Sequence, residues 1–125
     1  MRFASDRIER EWTSGLVHPL LRSLIQDAIL YASSRWQWDL FVTCILRTRE
    51  EDKELEGSGI HCEGRAIDIR TKDIDRDAVQ DLTDYLNDTW AYDPKRPRLV
   101  VAISKPHGSG PHLHIQVHPN TKRRF

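Results

Sequence analysis

The sequence predicts an α+β domain in which two main helices pack against a small antiparallel β-sheet. Three observations lead there. Apolar residues recur at helical spacing in two separate stretches, and four short runs carry strand patterning. The joins between paired runs are short and rich in Gly and Pro. A chain of 125 residues can bury one core but not two, and no internal repeat divides it. The whole chain is therefore expected to be one domain, with a core from about residue 12 to about residue 120.

The first helix starts at His18-Pro19, because proline is well suited to the first helical turn. Val17, Leu20, Leu21, Leu24, Ile25, Ala28 and Ile29 then form one buried face. Trp36 and Trp38 lead into Leu40-Phe41-Val42-Thr43-Cys44-Ile45-Leu46, rich in β-branched and aromatic residues and too short for a typical helix, which reads as a core strand. Residues Arg47 to Gly59 are dense in charge and end in Gly57-Ser58-Gly59, so a short helical turn and a surface loop are expected. A second strand follows at Arg65 to Arg70. Asp75 and Asp77 suit the positive end of a helix that carries Ala78, Val79, Leu82, Tyr85, Leu86 and Trp90 on one face and stops before Pro94. Arg98 to Ser104 reads as a third strand, Pro106 to Pro111 as a reversing turn, and His112 to His118 as a fourth strand. The basic tail Lys122-Arg123-Arg124 is expected to fray.

Nineteen basic residues balance nineteen acidic ones, so the net charge is zero with neutral histidines. Non-specific nucleic-acid binding needs an excess of Lys and Arg, and none exists; no nucleic-acid partner is expected. No stretch approaches the roughly 20 apolar residues of a membrane span, so no stable membrane insertion is expected. The polar N-terminus does not read as a secretory signal, which predicts a soluble chain made in the cytoplasm. A monomer is expected. Cys44 and Cys62 do not make a disulfide framework; Cys44 reads as core, and Cys62 as pointing away from whatever the adjacent His61 binds.

Four of the six histidines (His107, His112, His114, His118) fall in one short C-terminal stretch. In the fourth strand Leu113, Ile115 and Val117 share one face, so His112 and His114 point together from the other. His18 and His118 read as structural or solvated. In the second strand Asp68 stands between Ile67 and Ile69, and a carboxylate there has to be hydrogen-bonded, paired or metal-bound. His61 at the loop edge, Asp68, and a histidine from the last strand would make a His2Asp triad. Three such ligands leave the fourth tetrahedral position open, as in a catalytic zinc site.

The segment His61-Cys62-Glu63-Gly64-Arg65-Ala66-Ile67-Asp68, read as His-x-x-Gly-x-Ala-x-Asp, is followed by His112-Leu113-His114. With Arg47-Thr48 ahead of them, these residues resemble the zinc D-Ala-D-Ala carboxypeptidase and L-alanyl-D-glutamate endopeptidase family. That family shares its fold with lysostaphin-type peptidases and the hedgehog signalling domain. The resemblance spans roughly residues 16 to 118. It implies one Zn2+ held by His61, Asp68 and His114, with Arg47 holding substrate oxygens and His112 beside the metal. It also implies peptidoglycan stem peptide as the partner, cut next to a D-amino acid. A compact chain of this kind resembles phage or prophage lysis proteins, which act on the wall after release or as part of a virion.

One position departs from the pattern. These peptidases commonly carry Asp or Glu three residues before the last zinc-binding histidine, as general base; here that residue is Pro111. The base is then expected to be His112, whose imidazole has an ordinary pKa of about 6.5; His107 and Glu63 are the alternatives. The competing readings are a zinc-stabilised binding or virion-assembly module that has lost its base, and a metal nuclease, which the neutral charge disfavours.

Overall fold

The protein is described by a computed structural model covering residues 1–47, 60–105 and 110–125, apart from the side chain of Cys62. The turn and loop expected at 47–59 therefore fall, beyond Arg47, outside the described residues, as does His107.

The chain is α+β, with three helices and a mostly antiparallel sheet among the described residues. Helix α1 (Asp6–Thr13) and helix α2 (Pro19–Trp36) precede most of the sheet, and helix α3 (Arg76–Thr89) divides its strands. The main sheet has the order β1-β2-β3-β6-β5, built from Arg2–Phe3, Phe41–Cys44, Ala66–Arg70, His112–Gln116 and Ala102–Lys105 respectively. Only β1 and β2 run parallel; the other neighbours are antiparallel. β4 (Trp90–Ala91) and β7 (Lys122–Arg123) form a separate two-stranded ribbon. The expected frayed tail is thus paired, and Arg124 N–H also donates to Thr89 O at 2.8 Å.

Helix α2 forms where expected. His18 caps it, its Nδ1 accepting from Leu20 N–H at 3.1 Å, and Pro19 fills the first turn. Leu21, Leu24, Ile25 and Ala28 are fully buried. Asp75 caps α3 by accepting from Asp77 N–H, and Ala78, Val79, Leu82 and Leu86 face inward. Both helices join one core with Val42, Ile67, Ile69, Leu113 and Ile115. Each large side chain fully buried there contributes roughly 1.5–3 kcal/mol. The helices thereby cover one face of the sheet and leave the face of Asp68 and His114 for chemistry.

A reciprocal clamp joins α2 to α3. Tyr31 and Tyr85 stack with centroids 3.8 Å apart. Asp81 on α3 accepts from Tyr31 Oη (2.9 Å) and Trp36 Nε1 (2.8 Å), while Asp27 on α2 accepts from Tyr85 Oη (2.7 Å) and Trp90 Nε1 (3.0 Å). Trp36 and Trp90 are thus tied into helix packing.

Two further differences concern strand ends. The third expected strand begins later, at Ala102, because Gln116 supplies the hydrogen bonds of the preceding residues: its backbone N–H donates to Val101 O and its side-chain amide to Val100 O. At the N-terminus, β1 and α1 lie mostly outside the core boundary expected at residue 12. Ser5 caps α1, and Glu11 Oε1 accepts from Leu46 N–H at 3.2 Å. The helix thereby docks at the exit of β2.

Candidate metal centre

Asp68 lies directly opposite His114 across β3 and β6, and opposite Cys44 across β2 and β3. Residues paired in this way project from the same face of a sheet. One row across the sheet therefore carries Cys44, Asp68 and His114. Cys44 enters it through a bulge: Val42 pairs with Ile69, yet Cys44 pairs with Asp68, two steps on one strand against one on the other. Without that extra residue Cys44 would stand on the core face with Val42, as alternation predicts. The expectation that Cys44 is core is corrected: its side chain is half-buried and turned to the Asp68 face.

His61 arrives from a 3-10 turn, His61–Glu63, that ends at Gly64 in the left-handed region (φ 67°). A Cβ at Gly64 would lie 2.0 Å from Leu16 O, and His18 N–H donates to Gly64 O at 2.9 Å. Only glycine fits there, and that contact ties the His61 turn to the start of α2.

Hydrogen bonds orient both rings. His61 Nδ1 lies 2.8 Å from Ile45 O, which can only accept, so Nδ1 carries the proton and Nε2 the lone pair. His61 is 4% exposed, and among the described residues its Nε2 is the one buried side-chain polar atom without a hydrogen-bond partner. Asp68 Oδ2 stands 3.5 Å from it, at the outer limit of a hydrogen bond. His114 Nε2 lies 3.1 Å from Gln116 Oε1, and the Gln116 amide is fixed in that sense because its Nε2 donates to Val100 O. His114 Nδ1 then faces Asp68 Oδ1 at 2.9 Å. Two ring nitrogens thus meet one carboxylate, His114 Nδ1 at Oδ1 and His61 Nε2 at Oδ2, and its negative charge demands a positive one beside it.

In the metal-free protein a proton meets part of that demand. Burial disfavours the charged form of His61, but its contacts with Asp68 and Cys44 outweigh burial and push its pKa up to about 10. Burial would raise Asp68, yet the imidazoles of His114 and His61 beside it hold its carboxyl well below the usual carboxylate range. A divalent cation would meet the same demand with different geometry. Cys44, His61 and Asp68 each offer a ligand atom, and these atoms all lie within 4.8 Å of one another; His114, the third ligand expected, stands outside this group, at the other oxygen of Asp68. The donor set of imidazole, carboxylate and thiol suits zinc chemistry, and the outer-nitrogen hydrogen bonds match those that orient metal-binding histidines.

An open groove of about 910 Å³ runs over this row. Asp68, Cys44, Arg47 and His112 line it, whereas His61 and His114 are buried and do not. Arg47 Nη2 stands 3.5 Å from Asp68 Oδ2. His112 pairs with Arg70, one same-face step along the strand from His114, and its Nδ1 donates to Gly110 O at 2.9 Å, so Nε2 carries the lone pair. Arg7, Arg70 and Lys72 add positive charge to the walls, against Glu11. His118 is apart from this site, with its Nδ1 accepting from Asn120 N–H. Glu63, one of the alternative bases, is exposed and paired with Arg65 at 2.6 Å.

The chain has no significant match among protein-family models, curated proteins or solved structures. Among the described residues no helix is long and apolar enough to cross a membrane.

Proposed function

We propose that this protein is a zinc peptidase that hydrolyses peptidoglycan stem peptide next to a D-amino acid, a member of the D-Ala-D-Ala carboxypeptidase and L-alanyl-D-glutamate endopeptidase group with its hedgehog-like fold. The observation that carries the reading is the placement of His61 Nε2 and His114 Nδ1 at the two oxygens of the Asp68 carboxylate, with the outer ring nitrogens engaged by Ile45 O and Gln116 Oε1. In this reading His61, Asp68 and His114 would hold one Zn2+, which when bound would lower the pKa of water towards neutrality and polarise a carbonyl.

The remaining work falls to this chain's own groups. Arg47, its guanidinium beside Asp68 on the groove wall, neutralises a carbonyl or carboxylate oxygen of the substrate. His112, with Nδ1 tied to Gly110 O, presents Nε2 to accept a proton and return it to the leaving amine. Pro111 keeps a carboxylate from that duty. Arg7, Arg70 and Lys72 give the groove a cationic lining that suits a peptide rich in carboxylates. Release from an infected cell or carriage in a virion would bring the chain to its substrate.

The test is digestion of purified peptidoglycan of several chemotypes, with mass spectrometry of released peptides, using zinc-loaded wild type, Asp68→Ala and His112→Ala. Wild type is expected to cut, with both variants reduced by at least about 100-fold. Cleavage retained by Asp68→Ala sinks the zinc-peptidase reading. Zinc binding without cleavage of any chemotype favours a metal-stabilised binding module, the reading Pro111 supports.

A further inference from the structure

The geometry points to Cys44 as an additional ligand of the metal, through its sulfur, in an inference that rests on the metal site proposed above and concerns its donor set. Three observations carry it. The β2 bulge takes Cys44 off the core face and sets it opposite Asp68, in the row that also holds His114. Its ligand atom lies with those of His61 and Asp68 in a cluster no wider than 4.8 Å. Zinc–sulfur and zinc–nitrogen bonds of about 2.3 and 2.0–2.1 Å put tetrahedral ligand atoms roughly 3.5 Å apart, so the cluster needs only a small contraction.

The third observation is the unpartnered His61 Nε2, buried and 3.5 Å from Asp68 Oδ2. The sulfur itself stands 3.7 Å from His61 Nδ1, which already donates to Ile45 O. That nitrogen has no lone pair for the thiol to donate to, so the sulfur's capacity there is as an electron-pair donor. Cys44 and Asp68 also line the groove, whereas both histidines are buried and do not. An ion entering from the groove therefore meets the thiol and the carboxylate first. The consequence is a metal site that adds a sulfur donor to its imidazole and carboxylate donors, tighter and more oxidation-sensitive than a His2Asp triad.

Cobalt(II) is the probe. The reduced full-length chain is titrated with it, and bound cobalt is counted by equilibrium dialysis while the near-ultraviolet absorption is recorded. A sulfur-to-cobalt charge-transfer band is expected in wild type and in Cys62→Ser, and its loss in Cys44→Ser. Zinc affinity, measured by chelator competition, is expected to drop in Cys44→Ser by at least the roughly 10- to 100-fold that loss of an outer-shell partner costs. Cobalt bound without the band shows a thiol that only neighbours His61 and overturns this inference alone. A band that survives Cys44→Ser and vanishes in Cys62→Ser reassigns the ligand and overturns it too. If the wild-type chain binds neither ion, this inference and the peptidase reading fail together.

Discussion

Asp68 and His114 are direct cross-strand partners on β3 and β6, and His114 Nδ1 lies 2.9 Å from Asp68 Oδ1. Their separation in sequence is 46 residues. His114 stands between two acceptors, with Nε2 3.1 Å from Gln116 Oε1 and Nδ1 facing the carboxylate. The pair joins the two central strands of the sheet at the candidate metal centre.

Gln116→Leu removes the acceptor that orients His114 and leaves Val100 O without its side-chain donor. Zinc affinity is expected to fall about 10- to 100-fold, with the helical circular dichroism signal unchanged. Gln116→Glu keeps an acceptor and is expected to retain most of the affinity. Chelator competition separates the two, and equal affinities in both variants would remove Gln116 from the metal's support.

The pH dependence of stability should reverse sign with metal. His61 has a folded-state pKa raised to about 10, so its contribution in the metal-free protein is fully present below its ordinary value of about 6.5 and is lost as pH rises through about 10. Asp68 is held low, so its contribution is present above about 3.8 and is lost only as pH falls through its depressed value. Zinc must displace the His61 proton, so its apparent affinity rises by up to about tenfold per pH unit across neutrality. Thermal melts with and without zinc at about pH 6, 7 and 8 are expected to show a zinc-induced increase that grows with pH. A zinc effect independent of pH argues against His61 as a ligand.

Gly64→Ala forces a Cβ to within 2.0 Å of Leu16 O at a residue with φ 67°. The left-handed conformation alone costs about 1–2 kcal/mol, and the clash adds to it. Urea unfolding is expected to show a loss larger than that conformational cost, together with weaker zinc binding because the turn carrying His61 is displaced. A variant as stable as wild type would show that the turn is not held against α2.

Asp81→Ala leaves Tyr31 Oη and Trp36 Nε1 without their shared acceptor. The site is partly open to water, which limits the loss to about 1–2 kcal/mol. The melting temperature is expected to drop and tryptophan fluorescence to shift, while zinc affinity stays at the wild-type value because the clamp lies across the helices and away from the metal row. A large loss of metal binding would show that the helices, and not the sheet, hold the site.

Local chemistry was legible in the sequence where the physics is local. The apolar stripe from Leu20 to Ala28 and the His18-Pro19 start identify α2 because helix period and capping depend on neighbours a few residues apart. The isolated Asp68 between Ile67 and Ile69 marks a buried carboxylate for the same reason, since strand alternation is a property of consecutive residues. Residues Arg2–Thr13 carry no such signal of their place. α1 buries no residue fully, and its seat is set by Glu11 reaching the backbone of Leu46, 35 positions away.

The candidate donors were nameable from the sequence alone, because a carboxylate and imidazoles on apolar strands have few other stable fates. Which atoms of them converge was decided by tertiary structure. Ile45 O and the Gln116 amide choose the ring nitrogens, and both choices depend on contacts between elements distant in the chain. Cys44 is the clearest case: alternation assigns it to the core, and one extra residue in the pairing of β2 with β3 rotates it to the other face. Strand pairing register is a property of two segments together, so no periodicity within either one contains it.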